Sequence, residues 1–436
     1  MTDGRGPEPG RLPPFGTLRE SRGTRVEGFC EQVREVVLLG SSSRGGSSMV
    51  AEILRASRGL VHLSAEFNPF LRLVGLGGPA DGYDSDQLTA DDVKRLDPEL
   101  MRILDTELAL DAGFPADEPA DPRDFALTIL WRLRLQWPRI PLDPRVWVPR
   151  IMELLAEETE PLDVAALHMR LLGRLRDSGH PVEARYYDLP GPAGSQTGRP
   201  APAALTPPLL EEPPFVLSRP WRRATAEDLA SKPLLIKTPS NAYRLGFVKA
   251  LFPQARIRVL HLTRNPAASV NGLYDGWRHD GFHAHHVPEP LAIAGYSDLR
   301  ADDRCWWKFD LPPGWQSYTG ARLLEVCAFQ WRAAHVHLLA GVAEHGFDYH
   351  RLAYENLIAG EASRVQQFEA LCSWLRVDLD DRLRRVAVDG VPPIAATRTP
   401  RCNRWRERER EIGEVLDGPT LELAERLGYD DEEQWL

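Results

Sequence analysis

The chain is short of cysteine, of long apolar runs and of net positive charge, and each shortage removes a class of function. Its five cysteines, at 30, 305, 327, 372 and 402, are odd in number, scattered and never spaced as C-x-x-C, so neither a disulfide framework nor a zinc knuckle is implied. No window approaches the roughly 18 apolar residues of a membrane span. Residues 1–18 are rich in glycine, proline and charge where a secretion signal needs an apolar centre, and the expected location is the cytoplasm. A formal net charge of -10 argues against a general nucleic-acid or membrane-surface binder, so an anion site has to be a local basic pocket. The 436 residues, 43% hydrophobic and 27% charged, suffice for two domains or for one domain carrying a large insertion.

What is present is organised around Val36-Val37-Leu38-Leu39-Gly40-Ser41-Ser42-Ser43-Arg44-Gly45-Gly46-Ser47-Ser48. Four apolar residues, a run of small ones, then Val50, Ile53 and Leu54 at helical spacing read as a buried strand, a tight loop and a helix. The first amides of a helix lack internal partners and carry the positive end of its dipole, so such a loop can wrap an anion. Gly40 and Gly45 fit the two glycines of a P-loop and Ser47 its hydroxyl, but Gly46 stands where the lysine belongs. The cation is instead Arg44, whose planar fork suits phosphate or sulfate oxygens. A serine-rich turn without a ligand would have the same composition.

Arg44-Gly45-Gly46-Ser47-Ser48 resembles the Arg/Lys-Ser-Gly-Thr-Thr loop with which sulfotransferases hold the 5′-phosphosulfate end of 3′-phosphoadenosine 5′-phosphosulfate (PAPS). Leu60 to Leu63 reads as a second strand, neighbouring the loop, after a helix ended by Gly59 as a left-handed cap. Glu66, at that strand's exit, resembles in position the general-base glutamate of the heparan and tyrosylprotein branches of that superfamily. Taken alone it is a surface carboxylate or helix cap.

A strand over 234–236 delivers Lys237, and Lys237-Thr238-Pro239 resembles the Lys-Thr/Ser-Pro turn whose lysine sits near the transferred group. The strand 256–263 leads into Arg264-Asn265-Pro266, with Asn265 as N-cap and Pro266 as first helical residue. This resembles the family's 3′-phosphate motif, in which a serine follows the arginine by eight residues; here that position is Gly272, with Ser269 and Asn271 nearby. Tyr354-Glu355-Asn356-Leu357 resembles a structural motif after a late core strand. The segment 397–406 resembles the one that closes over the nucleotide, making Arg401, Arg404 and Trp405 candidates, with Asn403 replacing a glycine.

The expected fold is α/β, a parallel sheet flanked by helices, interrupted by an insertion. The organisation reads as a disordered tail over 1–25, core over 26–80, helical insertion with a proline-rich linker over 81–230, and core again over 231–436. Residues 274–320, rich in Trp and His, read as an acceptor-binding lid with exposed aromatics, and one of its histidines is an alternative base. His283, His285 and His286 have no partner at metal-ligand spacing, so no metal is expected.

The resemblance implies in-line transfer of a sulfuryl group from PAPS to a hydroxyl acceptor. Glu66 would act as base, Lys237 and Arg44 as charge stabilisers, and Ser43 to Ser48, Arg264 and Gly272 would lie on the nucleotide. The acceptor would be a bulky small molecule, such as a secondary metabolite, or a carrier-bound intermediate. Two other readings stand beside it: a P-loop kinase, for which only Tyr186-Tyr187-Asp188 imitates a magnesium-holding strand end, and a silent nucleotide-binding scaffold.

Overall fold

The structure, a computed structural model, describes residues 18, 21–22, 28–158, 161–187, 210–279 and 281–435. It divides into two compact units, one of Val26–Phe114 with Arg223–Leu436, the other of Pro115–Arg222 with residues 1–25.

The first unit is built on an α/β sheet. Its strands are β1 (Glu35–Gly40), β2 (Val61–Leu63), β3 (Ala112–Pro115), β4 (Trp221–Arg223), β5 (Leu234–Lys237) and β6 (Arg256–Thr263), a separate hairpin β7 (Ala284–His286) and β8 (Trp306–Lys308), and finally β9 (Asp348–Ala353). The sheet order is β4-β3-β2-β5-β1-β6-β9. β2, β5, β1, β6 and β9 run parallel, and β3 pairs with β2 antiparallel.

β1 is an unbroken apolar run because both of its faces are covered. Val36 and Leu38 enter one core cluster and Val37 and Leu39 the other, as the strand's period of two requires. The first cluster takes in Trp277, Val326 and Trp331, from the helices Pro266–Trp277 and Leu323–His345. The second takes in Val50, Ile53, Phe368 and Leu371, from Ser47–Leu54 and Glu361–Leu375. The last residue of the strand, Gly40, has no room for a side chain, since a Cβ there would lie 2.0 Å from the Leu338 side chain.

Several sequence expectations change. The helix Ser47–Leu54 closes with i to i+3 bonds, Ala56 N–H to the Ile53 carbonyl and Ser57 N–H to that of Leu54, and Gly59 is not left-handed. The segment between Pro266–Trp277 and Leu323–His345 is not a loop with exposed aromatics: Trp277, Trp307 and Trp315 are buried and stack edge to face, because the β7–β8 hairpin folds them into the core.

The insertion is also smaller than 81–230. Pro98–Asp111 belongs with the sheet: Asp105 accepts the amides of Phe29 and Cys30 at 3.0 and 2.8 Å, and Leu104 and Leu108 join the core. The apolar spacing was legible, but not which core it would serve.

The second unit contains Pro122–Gln136, Pro144–Ala156 and Val164–Asp177, whose N-caps Asp121, Asp143 and Asp163 each accept a first-turn amide. Trp131, Trp137 and Trp147 are buried. Within the expected linker, Glu211 is buried and paired with Arg132 at 3.1 Å, so Leu210–Pro214 is packed chain. Residues 188–209, Asp188 included, lie outside the described residues, as does most of the expected tail; Leu18 and Arg22 are buried, with the Arg22 guanidinium 4.7 Å from the Trp131 ring. No described helix is long and apolar enough to cross a membrane.

A buried histidine pair ties β6 to Leu323–His345: His261 Nε2 lies 2.7 Å from His335 Nδ1, and His261 Nδ1 lies 2.9 Å from the Tyr349 hydroxyl. Burial holds both imidazoles neutral, His335 down to about 3. The unfolded chain takes up protons below pH 6.5 that the folded chain refuses, so stability is complete above that pH and is lost as pH falls towards 3. Each such histidine contributes up to roughly 1.4 kcal/mol per pH unit in that window. The urea midpoint is therefore expected to fall from pH 7 to pH 5.5, and less steeply in His335→Gln; an unchanged midpoint contradicts this account.

Candidate functional site

The carboxyl ends of β2, β5, β1 and β6 bring most of the sequence-derived candidates to one edge of the sheet, where open α/β sheets bind ligands. After Gly40 the chain turns through Ser41–Gly46 into the helix Ser47–Leu54. Arg44 and Gly46 are both left-handed, at φ 62° and 98°, the kind of backbone alternation that gathers amides into an anion-binding concavity. Gly46 is required twice over, since a Cβ there would also lie 2.4 Å from the Tyr354 ring. The amides of Gly46, Ser47 and Ser48 have no hydrogen-bond acceptor among the described residues, and the buried Ser42 hydroxyl has no partner among them.

Because β5 lies between β2 and β1, with Lys237 in register with Leu39, the lysine stands between Glu66 and the loop. Its Nζ donates to Ser48 Oγ at 3.1 Å and forms a short ion pair with Glu66 Oε1. Both side chains are largely shielded, Lys237 at 15% and Glu66 at 31% exposure. A carboxylate, an ammonium and the helix start thus form one contiguous arc.

On the other side of β1, Arg264 follows β6. Its Nη1 donates to the Arg44 carbonyl at 3.3 Å, its guanidinium lies 4.6 Å from the Tyr354 ring, and its buried Nε has no partner among the described residues. The sequence motif after it forms as expected: Asn265 Oδ1 accepts the Ala268 amide, and Glu355 Oε1 accepts both Asn265 N–H groups at 2.8 Å. Gly272 faces this arginine, since a Cβ there would lie 4.0 Å from Arg264 Nη1 and 3.6 Å from Arg44 Cβ. The Ser269 hydroxyl nearby is buried and without a partner among the described residues.

Other candidates are placed differently. The Arg44 guanidinium donates to the Ala395 carbonyl at 2.8 Å and lies 4.6 Å from the Phe282 ring, because its left-handed backbone turns the side chain towards those segments. Arg404 pairs with Asp275 Oδ2 at 2.7 Å and Arg408 with Oδ1 at 3.0 Å, one helical turn beyond Gly272. Trp405 is a core residue against Trp435, and the exposed Arg401 pairs with Glu407; among the described residues no hydrogen bond or ion pair joins either to Ser43–Ser48. Burial pushes the His283 imidazole well below its ordinary range, and His283 lies against Arg72 as His285 lies against Asp86.

Sequence reasoning missed three acidic residues. Asp275 pins Arg404 and Arg408; Asp86 receives Ser240 Oγ–H and the Leu311 amide at 2.7 and 3.0 Å; Asp310 receives the hydroxyls of Ser43 and Tyr243. Ser43 lies 267 residues from Asp310 along the chain and Ser240 lies 154 from Asp86, so no local pattern marks these pairs.

No protein-family model and no curated protein matches the chain. Among solved structures it is similar to the sulfotransferase domain from the curacin biosynthetic pathway, at 12% identity over 91% of this chain and 98% of that one, with a TM-score of 0.36. It is similar to the sulfotransferase domain of the Synechococcus PCC 7002 olefin synthase at 15% identity, 92% and 96% coverage and a TM-score of 0.37. For sulfotransferase STF9 from Mycobacterium avium the figures are 11%, 92%, 77% and 0.35. Likenesses this distant say nothing of what this chain binds.

Gly46→Ala is expected to lower stability by about 1–3 kcal/mol through the left-handed backbone and the Tyr354 contact. Thermal melting checks this; an unshifted midpoint would show that the loop relaxes freely.

Proposed function

We propose that the chain is a sulfotransferase that uses PAPS as co-substrate and a hydroxyl-bearing molecule as acceptor. The observation that carries this reading is the Lys237 ammonium shared between Ser48, at the start of the loop helix, and Glu66. An ammonium beside free helix amides is suited to an anion, and the carboxylate on its other side is suited to a proton.

The residues fit a nucleotide with phosphates at both ends. The free amides of Gly46, Ser47 and Ser48 and the orphaned Ser42 hydroxyl would hold the 5′ end. Arg264, with its unpartnered Nε, and the orphaned Ser269 hydroxyl would hold the 3′-phosphate, Ser269 standing in for the hydroxyl that Gly272 lacks. Arg404 would add charge once released from Asp275. Ser43 and Gly45 shape the loop, and Arg44 clamps it to the segment around Ala395. Arg401 and Trp405 take no part.

The co-substrate supplies an activated sulfuryl group. Glu66 accepts the acceptor's hydroxyl proton as that oxygen bonds to sulfur. Lys237 and the loop amides neutralise charge on the departing phosphate oxygen, as positioned donors do in other in-line group transfers. The acceptor would be a small molecule or a carrier-bound intermediate, and secondary metabolism would suit either.

Calorimetric titration with adenosine 3′,5′-bisphosphate, with ATP and magnesium in parallel, tests the reading. Binding of the bisphosphate, weakened at least about tenfold in Arg264→Ala, with ATP silent, is the expected result; ATP binding without bisphosphate binding would restore the kinase. Glu66→Gln should keep bisphosphate affinity and lose about 10²–10⁴-fold in turnover with an accepted substrate. Full activity in Glu66→Gln would remove Glu66 as base.

A further inference from the structure

Beside the phosphate loop lies a carboxyl group that an anion site would not ordinarily keep. Asp310 is 4% exposed, its Oδ1 accepts the Ser43 hydroxyl at 2.5 Å, and its Oδ2 accepts the Tyr243 hydroxyl at 2.6 Å. The surrounding chain fixes it there. Phe309 adopts φ 64°, a strained conformation for an aromatic residue, and its ring occupies the space left by Gly276, where a Cβ would lie 2.5 Å from it. The Asp310 carbonyl accepts Trp307 Nε1–H and Gln330 Nε2–H at 3.0 and 2.9 Å.

We propose that Asp310 is a proton switch for the loop: anion binding draws a proton onto its Oδ1, which then donates to Ser43 Oγ and turns the Ser43 hydroxyl proton towards the bound anion. In the ionised state the carboxylate consumes that proton and repels the ligand. In the protonated state the same three atoms present a donor and no charge. The proton comes from solvent and forms an O–H bond at Oδ1, and no bond between heavy atoms changes. This inference rests on the loop being the anion site.

The groups around Asp310 permit such a switch. From the loop come Ser43 and, next to it, Arg44; from the turn Pro239–Tyr243 comes Tyr243, with the His337 ring edge-on to its own at 5.3 Å. Asp86 faces it from the segment before Ala90. Burial works against the Asp86 charge, yet His285, Arg244 and the Leu311 amide together hold that carboxyl far below the usual carboxylate range. Lys308 points its Nζ to the carbonyls of His279 and Phe282. Burial pushes the Asp310 carboxyl up to about 6 and ionised Asp86 adds to that, while the Ser43 and Tyr243 hydroxyls act against it. A group poised there is mostly ionised at neutral pH and close enough to its titration for a nearby anion to protonate it.

The test is calorimetric titration of the full chain with adenosine 3′,5′-bisphosphate at pH 7, in buffers of different ionisation enthalpy, for wild type and Asp310→Asn. The substitution keeps the side-chain shape and removes the charge, and ionisation of the ligand itself is common to both proteins. On binding, wild type is expected to take up about half a proton or more in excess of the uptake by Asp310→Asn. Its affinity should fall about tenfold from pH 6 to pH 8 relative to that of Asp310→Asn. Ser43→Ala keeps the carboxyl and removes the relay hydroxyl, so it should weaken binding at pH 6 and have little effect at pH 8. It also serves as the probe if Asp310→Asn does not fold. Equal proton counts in wild type and Asp310→Asn, or a Ser43→Ala effect independent of pH, would overturn the switch while leaving the anion site intact. Absence of bisphosphate binding to wild type would overturn both.

Discussion

The arrangement depends most on the Lys237 ammonium. Its charge sits where a helix start, a serine hydroxyl and a carboxylate converge, and it can do so only because β5 is threaded between β2 and β1. Had β2 paired directly with β1, Glu66 would lie beside the loop with no cation between, and the carboxylate would repel what the amides attract. Strand order therefore resolves a conflict of charge.

The same conflict recurs around the loop with different solutions. Asp275 is paired with Arg404 and Arg408, and Asp86 with Arg244, with the His285 ring 3.5 Å away. Asp310 has no cationic partner among the described residues: burial first, and ionised Asp86 beside it, push its carboxyl up to about 6 against the Ser43 and Tyr243 hydroxyls. Buried carboxylates need partners, and the kind of partner decides whether the charge is permanent or conditional. A protein of net charge -10 could in this way keep the proposed anion site.

Packing supports these electrostatics. The loop's shape requires glycine at 46 because Tyr354 closes on it, and Tyr354 also lies under the Arg264 guanidinium, so one ring shapes both halves of the site. Glu355, next in sequence, holds the backbone and side chain of Asn265 at the start of the second helix. A short motif after β9 thus braces both halves.

The sequence alone determined the local units: the apolar run of β1, the loop after Gly40, the strand ending at Lys237, and the strand-Arg264-Asn265-Pro266 start. Each is written in neighbouring residues through burial periodicity, glycine freedom and capping chemistry. Tertiary structure decided what those units meet. It placed β5 between β1 and β2, turned Arg44 towards Ala395, buried Trp277, Trp307 and Trp315 and drew Trp405 into the core. It also brought Asp310 from 267 residues away to Ser43. Local patterns record what a segment can form; a long-range pair is fixed only by the packing of both partners, and no spacing in the chain encodes it.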